Sequence, residues 1–236
     1  MLKGRRIVLT RPAGQAQVLA EQLAAQGAVV HLQPLLTITP ITYPPELISA
    51  REQSWDWGFF VSPNAVRYGV PWLQPRLPAQ VAAVGMATAA ALEQQGIKNI
   101  WVSPSFDSEG LLALPPLQSL SDQRCLIVRG QGGRPLLGDT LRARGAYVHY
   151  ASAYWRAAAP VNLTADLALD AVVITSSEAL NYWLAAVRTT PHWFVPVFAS
   201  HPRIMAYAQA AQLPNVFACT PGDAGIVAAL CAYFGG

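Results

Sequence analysis

Short apolar runs recur along the chain, each leading into a turn of small residues and then into apolar residues at helical spacing. Arg6–Arg11 (RIVLTR) is the first, and Arg124–Arg129 (RCLIVR) repeats it 118 residues later. At the same offset Gly27–His31 (GAVVH) is matched by Gly145–His149 (GAYVH). Val18–Leu23 and Leu136–Leu141 lie between, both with helical periodicity. Each copy therefore predicts strand, turn, helix, glycine stop, strand. The strand runs lack clean alternation, as suits strands covered on both faces.

The repeat continues at an offset of 114, where Asp56–Ala65 (DWGFFVSPNA) resembles Asp170–Ala179 (DAVVITSSEA). Each is a buried strand ending at a hydroxyl, followed by a polar helix entry. Val81–Val84 and Val195–Phe198 predict further strands, with helices at Ala87–Gln95 and Arg203–Gln212. Asn99–Val102 and Asn215–Ala218 predict a fifth strand pair, and helices follow from Leu111 to at least Leu114 and over Ile226–Tyr233. Two βαβαβαβαβα units of about 118 residues account for the chain. The expected fold is α/β, with two similar domains, each a five-stranded mostly parallel sheet flanked by helices. The loops after the strand C-termini form the ligand side of such a unit.

The domain boundaries are open to two readings. Linker-like stretches fall at Gln33–Pro45 and Ser152–Thr164, after the second strand of each half. A cut near residue 118 is one solution. An interleaved cut near 36 and 155 is the other, in which the first βαβ unit of each half completes the sheet of the other half.

Composition narrows the class. With 53% apolar and 12% charged residues among 236, intrinsic disorder is excluded. A net charge of +3 does not by itself imply nucleic acid, and the basic Lys3–Arg6 stretch reads as a solvated edge. Cys125, Cys219 and Cys231 are too scattered for a disulfide framework or a zinc site. His31, His149, His192 and His201 have no metal-ligand spacing. The start does not read as a signal peptide, and the longest apolar stretch, Val81–Leu92, is far below the roughly 20 residues of a membrane span. A cytoplasmic protein without metal or cofactor is expected.

The strand ends hold the chemistry. They are Thr10–Gln15, Ser62–Asn64, Gly85–Thr88 and Ser105–Gly110 in the first half. In the second they are Arg129–Arg134, Thr175–Glu178, Ala199–His201 and Thr220–Gly225. Hydroxyls, glycines and a few arginines at helix starts make an anion-binding ensemble with almost no general base or nucleophile. Singly, Ser62, Ser108 and Ser176 also fit as helix N-caps. Asp107 and Glu109 fit better as a cap or surface residues than as paired catalytic carboxylates. Gly130–Gly133 (GQGG) has neither phosphate-loop pattern, and no serine sits in a G-x-S-x-G elbow. Tyr154, in the second linker stretch, is an aromatic that could give a proton or hydrogen bond to a leaving oxygen, or could simply pack on a domain edge.

These features resemble the uroporphyrinogen-III synthase family. The resemblance is carried by Ile7–Gln15, Phe60–Val66, Ala83–Ala89, Phe106–Leu112, Arg129-Gly130, Gly133-Arg134, Leu141–Ala146, Tyr154 and Thr175–Ser177, spread over essentially the whole chain. It implies flavodoxin-like domains at 1–35 with 156–236 and at 36–155, joined by a two-stranded linker, with the active site in the cleft between them. The implied reaction is cyclisation of the linear tetrapyrrole hydroxymethylbilane, with loss of water and inversion of ring D, to uroporphyrinogen III. Tyr154 matches the family tyrosine associated with catalysis. Arg11, Ser62, Thr88, Ser108, Arg129, Arg134, Thr175 and Ser176 become candidates for holding the substrate's carboxylates. His201 departs from its first-half counterpart and stands as a donor or a surface residue. The expected partners are the polycarboxylate tetrapyrrole and, transiently, the preceding pathway enzyme; neither nucleic acid nor membrane is expected, and the chain should be a monomer. The competing reading is a noncatalytic two-domain binding protein for a small anionic ligand.

Overall fold

A computed structural model describes residues 2–12, 14–164 and 166–235; Met1, Ala13, Ala165 and Gly236 lie outside them, Ala13 being part of the Thr10–Gln15 stretch singled out above. The chain begins with β1 (Arg6–Leu9), α1 (Gln17–Ala25), β2 (Val29–Leu32), β3 (Leu36–Pro40) and α2 (Pro45–Arg51). It continues through β4 (Trp57–Phe60), α3 (Pro63–Leu73), β5 (Gln80–Ala83), α4 (Met86–Gln94), β6 (Ile100–Val102) and α5 (Ser108–Leu112). Next come β7 (Arg124–Gly130), α6 (Leu136–Ala143), β8 (Tyr147–Ala158), β9 (Ala171–Ile174) and α7 (Ser177–Val187). The remainder is β10 (Val197–Ala199), α8 (Pro202–Ala210), β11 (Val216–Ala218) and α9 (Asp223–Gly235).

Two compact units result, one from Met1–Thr37 with Ala157–Gly236 and the other from Ile38–Arg156. The first holds a sheet of order β11-β10-β9-β1-β2, with every neighbouring pair parallel. Numbered along that unit's own chain, this is the flavodoxin-like order 2-1-3-4-5. The second holds the order β3-β8-β7-β4-β5-β6. Its five strands β8 to β6 are parallel and have the same order once counted from β7. The sixth, β3, runs antiparallel along β8: Ile41 N–H donates to the Ala153 carbonyl, and Ala159 N–H to the Leu35 carbonyl. The repeat thus exchanges parts: β1, α1 and β2 pair with the late strands of the second copy, and β7, α6 and β8 with those of the first.

Strand alternation supplies each sheet with two apolar faces. In the first unit Val8, Val172 and Ile174 pack with Leu180 and Trp183 of α7, whereas Ile7, Leu9 and Val173 pack with Leu19 and Leu23 of α1 and Leu230 of α9. In the second, Phe60, Leu126 and Val128 meet Val66 and Val70 of α3, and Phe59, Cys125 and Ile127 meet Leu137 and Leu141 of α6. Burying each such side chain contributes about 1.5–3 kcal/mol, which explains why these helices dock on the sheet despite their short length. The glycine stops expected after α1 and α6 are present: Gly27 and Gly145 hold φ of 91° and 93°, a left-handed conformation that closes a helix at little cost only for glycine.

The helix pattern also fixes where ligands can enter. In the second unit the helices following β7 and β4 cover opposite faces, so the loops leaving the C-terminal ends of these adjacent strands diverge. In the first unit β1 and β9 stand in the same relation. Such switch points are where open α/β sheets bind ligands.

Candidate active site

At the switch point of the second unit, Ser62 follows β4 and opens α3. Its extended backbone lets Oγ accept the Ala65 N–H at 3.0 Å, an N-cap worth about 1 kcal/mol. The same Oγ lies 2.9 Å from the hydroxyl of Tyr154, which is buried to 4% exposure.

A break in strand register brings these groups together. Along β8, Val148 and Tyr150 face the α6 side and Ala151 faces the α3 side, so unbroken alternation would send Tyr154 to the α6 side. Instead Arg129 pairs with Ser152 and Gly130 with Tyr154, and Ala153 is passed over. This bulge turns Tyr154 onto the α3 face beside Ala153, Tyr68 and Ser62. Gly130 forms the seat of the ring. A β-carbon at that position would stand 2.6 Å from Tyr154 Cε2 and 2.8 Å from Cζ, well inside van der Waals contact.

The ends of β7 and β8 bring a pair of cations, Arg129 and Arg156, to the loop that follows β7. Arg129 stacks its guanidinium on the Tyr150 ring at 4.5 Å and donates to the carbonyls of Gly130, Gly133 and Arg134 at 3.3–3.4 Å. Arg156 reaches the Gln131 carbonyl from β8 at 3.5 Å. Gly133 lies between the two: its β-carbon position is 3.5 Å from Arg156 Nη2 and 3.6 Å from Arg129 Nη2. Burial lowers the Arg129 pKa from its ordinary value, partly offset by Tyr150, and the neighbouring Arg156 charge lowers it further. Two guanidinium groups held this close favour an anion between or beside them.

Arg134, on the same loop, makes a bidentate ion pair with Glu109 at 2.6 and 3.0 Å. That contact holds the Glu109 carboxyl below the usual range and raises the Arg134 pKa. Ser108 is the first residue of α5 but not its cap. Asp107 caps the helix by accepting from Gly110 N–H at 2.8 Å, because the left-handed Phe106 before it (φ 57°) places the aspartate in the capping position. Thr88 is inside α4 and 3% exposed.

At the switch point of the first unit, Thr10 donates its hydroxyl proton to the Val173 carbonyl at 2.7 Å, tying the ends of β1 and β9 together. Arg11 pairs with Asp223, the first residue of α9, at 2.6 Å. Thr175 is half-buried at the end of β9, and Ser176 caps α7 by accepting from Ala179 N–H at 3.0 Å. His201 caps α8, its Nδ1 accepting the Arg203 N–H at 3.1 Å.

Sequence reasoning named Ser62, Arg129 and Tyr154 without joining them, and Ser62 and Tyr154 are in contact. It missed Gly130 as the ring seat and Arg156 as the second cation, although both lie in motifs it singled out. It also missed the acidic partners of Arg11 and Arg134. Burial drives the Cys125 thiol pKa up to about 12 and that of Cys219 to about 11, so both are poor nucleophiles. Among the described residues no group of His, Cys, Asp and Glu is arranged to hold a metal ion, and no helix is long and apolar enough to cross a membrane.

Known proteins resemble this chain along nearly its full length. The family model described as HEM4, uroporphyrinogen-III synthase HemD, matches residues 17–228. The uroporphyrinogen-III synthase of Escherichia coli (strain K12) is 33% identical over 219 residues, covering 86% of this chain and 87% of that protein. Among solved structures, a mutant uroporphyrinogen III synthase from the extremely thermophilic bacterium Thermus thermophilus superposes with a TM-score of 0.67 at 18% identity, covering 98% of this chain and 97% of that one. The synthetase from Helicobacter pylori 26695 gives 0.62 at 15% identity, covering 97% and 99%. Those two establish a shared two-domain α/β fold, and the family model and the E. coli relative establish kinship: the chain belongs to the uroporphyrinogen-III synthase (HemD) family.

Proposed function

We propose that this protein cyclises hydroxymethylbilane to uroporphyrinogen III, with loss of water and inversion of ring D, and that Tyr154 assists departure of the substrate hydroxyl. The observation that carries the assignment of Tyr154 is its placement: a buried phenol at the strand C-termini, seated on Gly130 and touching Ser62, with Arg129 at the end of β7 and Arg156 near the end of β8 close by. The substrate's terminal C–O bond breaks, and the oxygen leaves as water with a proton from the phenol. The pyrrole nitrogen supplies much of the electron push, so the acid contributes only part of the acceleration. Attack at the substituted carbon of ring D gives a spiro intermediate, which fragments and recombines with that ring reversed. Holding the cationic chain so that this path outruns simple closure is a positioning task.

Carboxylates of the substrate fall to Arg11, Thr175 and Ser176 in the first unit and to Thr88, Ser108, Arg129 and Arg134 in the second, whereas Ser62, the remaining candidate, is engaged by Tyr154. Arg11 and Arg134 already bind Asp223 and Glu109, so substrate would exchange one carboxylate partner for another there. Arg129 and Arg156, side by side across Gly133, suit a further carboxylate. We further propose domains at 1–35 with 156–236 and at 36–155, a reading supported by the exchange of βαβ units between sheets. The enzyme would act as a cytoplasmic monomer that takes its short-lived substrate in transient contact with the preceding enzyme.

Incubation with enzymatically generated hydroxymethylbilane, followed by separation of the isomers, tests the activity. Isomer III should dominate; isomer I alone would leave a noncatalytic anion-binding protein. Tyr154→Phe should slow formation of isomer III while leaving the fold intact, and an unchanged rate would remove Tyr154 from the mechanism.

A further inference from the structure

Ser62 does more than cap a helix or offer a hydroxyl to a carboxylate. We infer that it is a positioning residue for Tyr154: its hydroxyl anchors the phenol oxygen at the start of α3 and donates to the phenolate that remains once the Tyr154 proton has passed to the leaving oxygen. This inference rests on the reading of Tyr154 as the acid.

Three observations support it. The Ser62 oxygen is 2.9 Å from the Tyr154 oxygen and 3.0 Å from Ala65 N, so one hydroxyl bridges the helix start and the phenol. A serine hydroxyl has one proton and two lone pairs. Accepting the Ala65 N–H at the positive end of α3 draws electron density from the Ser62 oxygen and strengthens its own O–H as a donor. In the resting pair either hydroxyl can donate, but once the phenol has given up its proton Ser62 is the only donor of the two. The third observation is the fit of the ring. Gly130 beneath it, Tyr68 at 6.2 Å and a 4% exposure leave the phenol little freedom, so its contact with Ser62 is a fixed feature of the site.

The chemical consequence is specific. As the substrate C–O bond breaks, its electron pair leaves with oxygen, which takes the Tyr154 proton and departs as water. The phenolate that remains is stabilised by the Ser62 O–H and, through it, by the start of α3. When the closed macrocycle regains its pyrrole by losing a proton at the reacting carbon, that proton restores the phenol. Protons balance, and no further reagent is required.

Ser62→Gly separates this role from capping, because glycine at an N-cap costs helices only a few tenths of a kcal/mol relative to serine. The expected result is a fall in kcat for isomer III of roughly two- to tenfold, the range for one lost hydrogen bond, with KM little changed. Ser62→Thr, which keeps the hydroxyl, should restore kcat. In a Tyr154→Phe background, Ser62→Gly should have no further effect. The NMR resonance of isotopically labelled Tyr154 Cζ, assigned by its loss in Tyr154→Phe, should move on Ser62→Gly and return with Ser62→Thr. Equal losses from Ser62→Gly with and without the phenol would overturn the positioning role and leave Tyr154 as the acid. So would a Cζ resonance indifferent to Ser62. If Tyr154→Phe keeps the parental rate, the acid reading fails, and the positioning role falls with it even where the resonance moves.

Discussion

Replacing Gly130 by alanine tests the seat of the Tyr154 ring directly. The backbone at Gly130 lies in strand β7 and accepts a side chain without left-handed strain, so the only new feature is one methyl group. That methyl would stand 2.6, 2.8 and 3.1 Å from Tyr154 Cε2, Cζ and Cδ2, where carbon atoms prefer about 3.5–4.0 Å. The ring must retreat by roughly 1 Å to relieve the overlap. A shift of that size would take the Tyr154 hydroxyl, now 2.9 Å from Ser62 Oγ, out of hydrogen-bond range. Overpacking of this kind costs about 1–3 kcal/mol, and misplacing a catalytic group by about 1 Å can cost two orders of magnitude in rate. Urea unfolding and isomer III kinetics would be read together for Gly130→Ala, Tyr154→Ala and the double variant. With the ring removed there is nothing left to strike, so Gly130→Ala should cost less than about 0.5 kcal/mol in the Tyr154→Ala background. Parental stability and parental kcat in the single variant would refute the close approach and the placement of Tyr154 that depends on it.

Two other perturbations have defined outcomes. Arg156→Gln removes the cation beside Arg129 and should raise KM several-fold with a smaller effect on kcat; a kcat effect with constant KM would assign Arg156 to the chemical step rather than to binding. Glu109→Gln releases Arg134, so KM should fall by roughly twofold if Arg134 binds substrate. Because the folded-state pKa of Glu109 is lowered, its ion pair contributes stability above the unfolded carboxyl value near 4.5, and that contribution disappears as pH falls through the folded value. Both partners are more than one-third exposed, so the stability lost in Glu109→Gln should stay below about 1 kcal/mol near pH 7 and vanish in acid, as read by denaturant midpoints.

Much of this structure is legible in the chain because a duplicated pattern is read twice. The apolar runs of β1 and β7, the glycines at 27 and 145 and the hydroxyls at Ser62 and Ser176 reinforce one another, and each appears where the pattern puts it. Local composition is less informative where long-range pairing decides the outcome. Gln33–Pro45 reads as a linker, yet Leu36–Pro40 becomes β3 because β8 extends far enough to pair with it. The helix α2 has a start signal in Pro44-Pro45-Glu46, hidden inside the same proline-rich stretch. At Asp107-Ser108 two good capping residues are adjacent, and the left-handed turn at Phe106 selects the first.

The site shows the same division. Hydroxyls, glycines and arginines at strand ends are visible from spacing, since strand and helix periods locate the turns. The orientation of Tyr154 is not, because it depends on Ala153 being passed over in the β7–β8 register. A bulge reverses which face every later side chain occupies, and no local residue type announces it. Arg156 is hidden for the same reason: only the paired strands bring it to Gly133, beside Arg129.

Backbone amide NMR of the protein titrated with uroporphyrinogen III tests the central claim most directly, because it asks where the tetrapyrrole sits without relying on turnover. Shifts are expected to concentrate at the strand C-termini, in Thr10–Arg11, Ser62–Ala65, Arg129–Arg134, Tyr154–Arg156 and Thr175–Ser177. Shifts confined to the opposite strand ends, around Trp55, Arg124 and His149, would contradict the claim.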